Sequence, residues 1–137
     1  MTAETPRTDA PPRASPRSSP EQAKPTLRFR MRITIGDVIA IGPGKIALLE
    51  AVDRTGSITA AAKSLGMSYR RAWILLDEMN RALRQPAVGS AKGGADGGRS
   101  TLTDAGRQLL TLYRRIEETA ATAGEDDIRQ LMAMLAP

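Results

Sequence analysis

Ser68-Tyr69-Arg70-Arg71 stands at the head of a segment whose apolar residues recur at helical spacing. A hydroxyl, a phenol and two guanidiniums at the start of a helix suit one chemistry well, hydrogen bonding to base edges and to the oxygens of a phosphate backbone. Lys92 and Arg99 flank the glycine-rich run from Gly93 to Gly98 and add two further cations. Thr59 offers a hydroxyl near the start of the preceding helical segment. Ile74, one turn beyond Arg70, is either an apolar side chain that meets a thymine methyl or an incidentally exposed isoleucine. Tyr69 and Arg70 have a plainer reading too, as a solvated helix end.

Covalent chemistry has little to work with. The 137 residues include no His and no Cys. That removes Ser-His-Asp and Cys-His nucleophile pairs, imidazole or thiolate metal sites and any disulfide framework. No paired carboxylates point to a pocket, so the chain reads as a non-enzyme that needs no metal and no cofactor. The glycine-rich run lacks the Gly-Lys-Ser/Thr ending of a nucleotide-binding loop. Twenty basic residues against 15 acidic ones leave a net charge of +5. Nucleic acid is the commonest partner of a small basic domain. With no apolar run of membrane-spanning length and no signal-peptide core, no membrane is implied and a cytoplasmic protein is expected.

The elements that must position these residues follow from periodicity and punctuation. Residues 1–26 hold six of the nine prolines and no aromatic, Ile, Leu or Val residue. They read as a disordered Pro/Arg-rich tail, or as a DNA-tracking arm using Arg7, Arg13, Arg17 and Lys24. Leu27, Phe29, Met31, Ile33 and Ile35 alternate with Arg28, Arg30, Arg32 and Thr34. That pattern predicts a half-buried strand whose arginines form a solvated face or meet phosphates. Gly42-Pro43-Gly44 opens a helix with Ile46, Leu48, Leu49 and Val52 inward, and Gly56 stops it. Ser57 caps a short alanine-rich helix over Ile58 to Leu65, Gly66 breaks it, and Ser68 caps a third helix to about Leu83. Ala72, Leu75, Leu76, Met79 and Leu83 form the inner face of that helix. Trp73 lies on its flank, more in keeping with helix packing than with a DNA contact.

Two short strands, Ala87 to Lys92 and Arg99 to Leu102, make a hairpin around the glycine tip. Thr103 caps a long helix whose stripe includes Leu109, Leu112, Tyr113 and Ile116, and a last short helix carries Ile128, Leu131, Met132 and Leu135. The stripe asks for cover, either from a second subunit, making a homodimer, or from the last helix folding back. Charge is segregated along the chain. From Arg54 to Arg115 there are eleven basic and four acidic residues, a net of +7; from Ile116 onward there are one and five, a net of −4. The expected fold is mainly α with a small β wing, a winged helix-turn-helix with a long C-terminal dimerisation helix. Its divisions are a tail (1–26), a DNA-binding domain with its dimerisation helix (27–122) and a short C-terminal helix (123–137).

Gly56-Ser57-Ile58-Thr59-Ala60-Ala61-Ala62-Lys63-Ser64-Leu65-Gly66-Met67-Ser68 resembles the helix-turn-helix shared by LysR-type and ModE-type bacterial regulators. Leu102-Thr103-Asp104-Ala105-Gly106, followed by Leu109-Leu110, resembles the turn into the final helix of both groups. Ser68 to Trp73, Glu78-Met79-Asn80 and the glycine-rich run are similar to the ModE type in particular. The resemblance covers roughly Leu27 to Glu118. It implies a winged-helix domain that dimerises through its flanking helices, binds palindromic operators in double-stranded DNA and regulates molybdate uptake or molybdenum-enzyme genes. The C-terminal oxyanion-binding region of the molybdate sensor has no counterpart in these 137 residues, so sensing by that route is not expected. The effector stays open; a small oxyanion between the long helices, held by Arg107, Arg114 or Arg115, is one option. The competing function is a winged-helix interaction or architectural module with only non-specific DNA affinity.

Overall fold

The computed structural model describes residues 23–90 and 99–136. The elements in chain order are β1 (Ile33–Ile35), β2 (Val38–Ile41), α1 (Pro43–Thr55), α2 (Ile58–Ser64), α3 (Tyr69–Ala82), β3 (Val88–Ser90), β4 (Ser100–Leu102), α4 (Asp104–Ala123) and α5 (Glu125–Ala133). Helices dominate, and the strands form two separate antiparallel pairs, β1 with β2 and β3 with β4.

The core lies where α1, α2 and α3 meet. Leu48, Leu49, Ala51 and Val52 from α1 pack on Ala61 and Ala62 of α2 and on Ala72, Leu76 and Met79 of α3. Alanines on α2 let the helices come close, while the larger side chains of α1 and α3 fill the space between them. Ala87 and Leu102 close this core from below the wing, and Leu109 and Leu110 pack against it from α4. The inner face of α3 is the one its periodicity predicts, with Leu75 and Leu83 at its partly buried margin.

The N-terminal strand differs from expectation. Only Ile33–Ile35 pairs, and residues 23–32 have no regular secondary structure. The chain turns at Gly36-Asp37, with Gly36 at φ +61°, and β2 returns so that Ile35 faces Val38. A two-residue Gly-X connection of this kind is the sequence signature of a tight hairpin. The hairpin is not half-buried: Ile33, Ile35, Val38 and Ile39 are all exposed. Nor does the last helix cover the α4 stripe. No residue of α5 is buried, and Leu131, Met134 and Leu135 stand as open as Leu112 and Ile116.

Candidate nucleic-acid interface

The turn between α1 and α2 is built on Gly56, whose left-handed φ of +77° lets its N–H donate to the Val52 carbonyl at 2.8 Å. Ser57 then accepts from the Ala60 N–H at 2.9 Å and starts α2. Gly66, at φ +71°, reverses the chain again, and Ser68 accepts from the Arg71 N–H at 3.1 Å to start α3. Each cap satisfies an N–H that the helix cannot pair internally, worth roughly 1 kcal/mol. Two helices joined by a left-handed glycine turn, the second opening on polar residues, form a helix-turn-helix.

The first turn of α3 points into solvent. Tyr69, Arg70 and Arg71 are exposed, Ile74 is exposed one turn on, and Thr59 is exposed near the start of α2. Neither Arg70 nor Arg71 has a carboxylate within 4 Å among the described residues. Arg99 is likewise exposed and unpaired there, and its guanidinium lies beside Gly56, so that a Cβ on that glycine would meet Nη2 at 3.8 Å. The structure thus brings Arg99 to the α1–α2 turn. Lys92 and the glycine tip lie outside the described residues, as do residues 1–22 of the tail. Trp73 is more open than a packing role anticipates, 49% exposed at the edge of a hollow lined by Ile58, Val88 and Gly89.

Sequence reasoning named Asn80, Thr103 and Gly106 only within a cap and motifs and missed the contacts by which they set the wing against α3. Asn80 accepts from the N–H groups of Ala87 at 2.8 Å and Val88 at 3.3 Å, and its amide donates to the Val88 carbonyl at 3.3 Å. One side chain of the recognition helix therefore ties down the start of β3. From the other side, the Thr103 hydroxyl donates to the Pro86 carbonyl at 2.6 Å, and the Thr103 N–H donates to the Ala87 carbonyl at 2.9 Å. The Ser100 N–H donates to the Gly56 carbonyl at 3.0 Å, so β4 is rooted on the first glycine turn. Gly106 packs so tightly that an added Cβ would collide with the Ala87 carbonyl oxygen. A glycine inside the first turn of a helix was the readable signal for close backbone approach. Asn80 gave none, because its partners are backbone groups seven and eight residues away.

The four stripe residues of α4 divide. Leu112 and Ile116 are exposed one turn apart, and Leu109 packs partly on the core. Tyr113, expected at the same seam, is engaged within its own chain. It is only 2% exposed, and its hydroxyl donates to the Met31 carbonyl at 2.8 Å. Burial pushes its phenol above the usual tyrosine range, with the Glu117 carboxylate adding to the shift. Tyr113 therefore anchors the N-terminal segment within its own chain. The arginines considered for an oxyanion between helices are also partly committed. Arg114 holds Glu50 at 2.6 Å and Glu117 at 2.7 Å, and Arg107 donates to the Leu102 carbonyl at 3.0 Å.

A helix-turn-helix followed by a short antiparallel ribbon is a winged helix-turn-helix domain. No described helix is long and apolar enough to cross a membrane. Residues 44–107 match the family model described as bacterial regulatory helix-turn-helix protein, lysR family. Over 81 residues the chain is 46% identical to the molybdenum-pterin-binding protein MopB of Rhodobacter capsulatus, spanning 59% of this chain and 30% of that protein. It is 40% identical over 92 residues to the molybdenum transport protein ModE of Azotobacter vinelandii, spanning 66% and 34%. It is 36% identical over 98 residues to the DNA-binding transcriptional dual regulator ModE of Escherichia coli K12, spanning 69% and 37%. Among solved structures, the DNA-binding domain of CbnR in a DNA complex superposes with a TM-score of 0.50 at 24% identity, over 64% of this chain and 95% of that one, a likeness of fold. Residues 44–107 are thus similar to the LysR-type helix-turn-helix, and the winged-helix region as a whole is similar to part of the relatives named ModE and MopB. The chain spans about a third of the length of the curated relatives it matches.

Proposed function

We propose that this chain is a sequence-specific DNA-binding transcriptional regulator. In this reading α3 enters the major groove by its first turn, where Ser68, Tyr69, Arg70, Arg71 and Ile74 meet base edges and the adjoining backbone. Thr59 and Arg99 meet phosphates beside it, and Lys92 does so from the wing. The observation that carries the reading is the pair of exposed, unpaired guanidiniums on a serine-capped helix held by a glycine turn. An arginine fork reads guanine O6 and N7 in two parallel hydrogen bonds of fixed geometry. An enzyme reading has no residue constellation behind it.

The working unit is a homodimer joined through Leu112 and Ile116, with Leu109 at the margin. Two copies would present their recognition helices to half-sites about one turn of DNA apart, and the operator would be an inverted repeat. In the same reading the first candidate targets are genes of molybdate uptake and molybdenum enzymes, a choice supported by relatives named for molybdenum transport and molybdenum-pterin binding.

Selection of bound fragments from sheared genomic DNA at physiological salt, with and without molybdate, tests this reading. Enrichment of an inverted repeat is the expected result, and a shift on adding molybdate would make the chain an effector-responsive regulator. A flat profile in both conditions would contradict the operator reading and favour the interaction-module alternative.

A further inference from the structure

We propose that the cleft between the N-terminal hairpin and the recognition helix seats a DNA backbone phosphate, so that the footprint reaches beyond α3 and the wing. This rests on the DNA reading above and adds a contact region to it. The cleft has a volume of about 400 Å³, and its charged lining is Arg30, Arg32, Asp37, Lys45, Arg71 and Glu78. These side chains come from the segment leading into β1, the hairpin turn, the first turn of α1 and one flank of α3.

The charges do not cancel. Lys45 is 5% exposed and fully engaged: its ammonium sits 3.0 Å from Glu78 and also donates to the Ile39 carbonyl. That pair neutralises itself, leaving three guanidiniums against the single carboxylate of Asp37. Arg30, Arg32 and Arg71 are all exposed, and none has a carboxylate within 4 Å among the described residues. Like charges gathered on one cleft repel each other unless an anion joins them. Because these cations stand on the exposed rim rather than deep inside, they suit an anion that passes across the opening. A nucleic-acid strand does so, offering successive phosphates to separate arginine forks.

Continuity with the recognition helix supports the same assignment. Arg71 belongs both to the first turn of α3 and to the lining of this cleft. A backbone bordering the groove that α3 enters would therefore pass from Arg71 to Arg32 and Arg30. The alternating arginines ahead of β1, which sequence alone leaves as a solvated face or a phosphate contact, take the second role here.

The test is the double variant Arg30→Ala/Arg32→Ala in the full chain, titrated by fluorescence anisotropy. One duplex carries the inverted repeat enriched in the selection and a second carries the same bases scrambled, from about 50 to about 200 mM salt. The expected result is weaker binding to both duplexes by the same factor, with their affinity ratio kept. The slope of log affinity against log salt should become shallower by about 0.9 for each phosphate released. Arg30→Lys/Arg32→Lys should restore most of the slope. An unchanged melting temperature shows that the fold is intact, as exposure of both side chains predicts. If the wild type prefers the repeat but the alanine variant keeps its affinity and slope, the proposal is overturned while the DNA reading stands. If the wild type binds neither duplex, the DNA reading itself fails. Inorganic phosphate that raises the melting temperature of the wild type only, with the DNA slope unchanged between them, would assign the cleft to a free oxyanion and overturn the proposal.

Discussion

Arg70, Arg71 and Arg99 stand in solvent without a carboxylate in ion-pair reach among the described residues, whereas Arg114 on α4 holds Glu50 and Glu117, and Arg129 on α5 holds Asp126 at 2.9 Å. The apolar residues follow the opposite rule. Beneath the recognition helix Leu76 and Met79 are buried, while Leu112, Ile116, Leu131 and Leu135 lie bare on α4 and α5. The start of the recognition helix keeps its arginines available above a buried inner face, with Trp73 and Ile74 open beside them; α4 and α5 pair Arg114 and Arg129 internally and leave leucines and an isoleucine bare. Free cations suit a polyanion, whose counterions they replace. Bare apolar area suits a protein surface, because its burial drives association without directional demands. Hydrogen bonds to Glu50 and Glu117 hold the Arg114 guanidinium above even its usual range, so it stays charged wherever the fold survives. It is already committed to its own chain.

Replacing Leu112 and Ile116 together by Glu should break this contrast most severely. Two carboxylates in an apolar interface carry a desolvation cost of several kcal/mol each in the paired state and little in the free subunit. Sedimentation velocity should show a monomer of unchanged fold, and operator binding should fall to that of a half-site. A variant that still sediments as a dimer would move the interface elsewhere. Arg70→Ala/Arg71→Ala should leave the dimer intact and weaken operator binding by about 1–3 kcal/mol for each guanidinium that reads a base. The ratio of operator to scrambled-duplex affinity should shrink in step, and a ratio left at the wild-type value would refute the docking of α3.

Asn80→Ala lies between the two regions. It leaves the N–H groups of Ala87 and Val88 without their acceptor, and chemical denaturation should show destabilisation by about 1–3 kcal/mol. Because Asn80 ties β3 to α3, operator binding should weaken beyond what the remaining folded fraction explains. Asn80→Asp, which keeps the acceptor, should recover much of the stability. The smallest effect belongs to Arg114→Ala. Its pairs are about half exposed to solvent, so the destabilisation should be no more than about 1 kcal/mol. DNA affinity measured at fixed dimer concentration should not change.

Much of this layout is legible in the amino-acid sequence because it depends on local chemistry. Ser57, Ser68 and Thr103 each precede a periodic apolar run, and each accepts from a backbone N–H three residues on. Gly56 and Gly66 mark the two turns because a left-handed φ favours glycine. The inner face of α3 follows from a period of 3.6. What periodicity does not provide is the identity of the cover. Tyr113 shares the apolar stripe of α4 with Ile116 three residues on, yet one is sealed against Met31 and the other is open. The second strand of the N-terminal hairpin hides in Val38-Ile39-Ala40-Ile41, an apolar run without alternation. Asn80 and the Lys45–Glu78 pair depend on non-local neighbours that no spacing rule names.

The most direct test of specific recognition by α3 is the affinity of the wild-type chain for the selected inverted repeat, set against a scrambled duplex of equal length at physiological salt. The predicted result is a preference of at least about a thousandfold, reduced toward unity in Arg70→Ala/Arg71→Ala. Equal affinity for the two duplexes, or a preference that survives the double substitution, would contradict it.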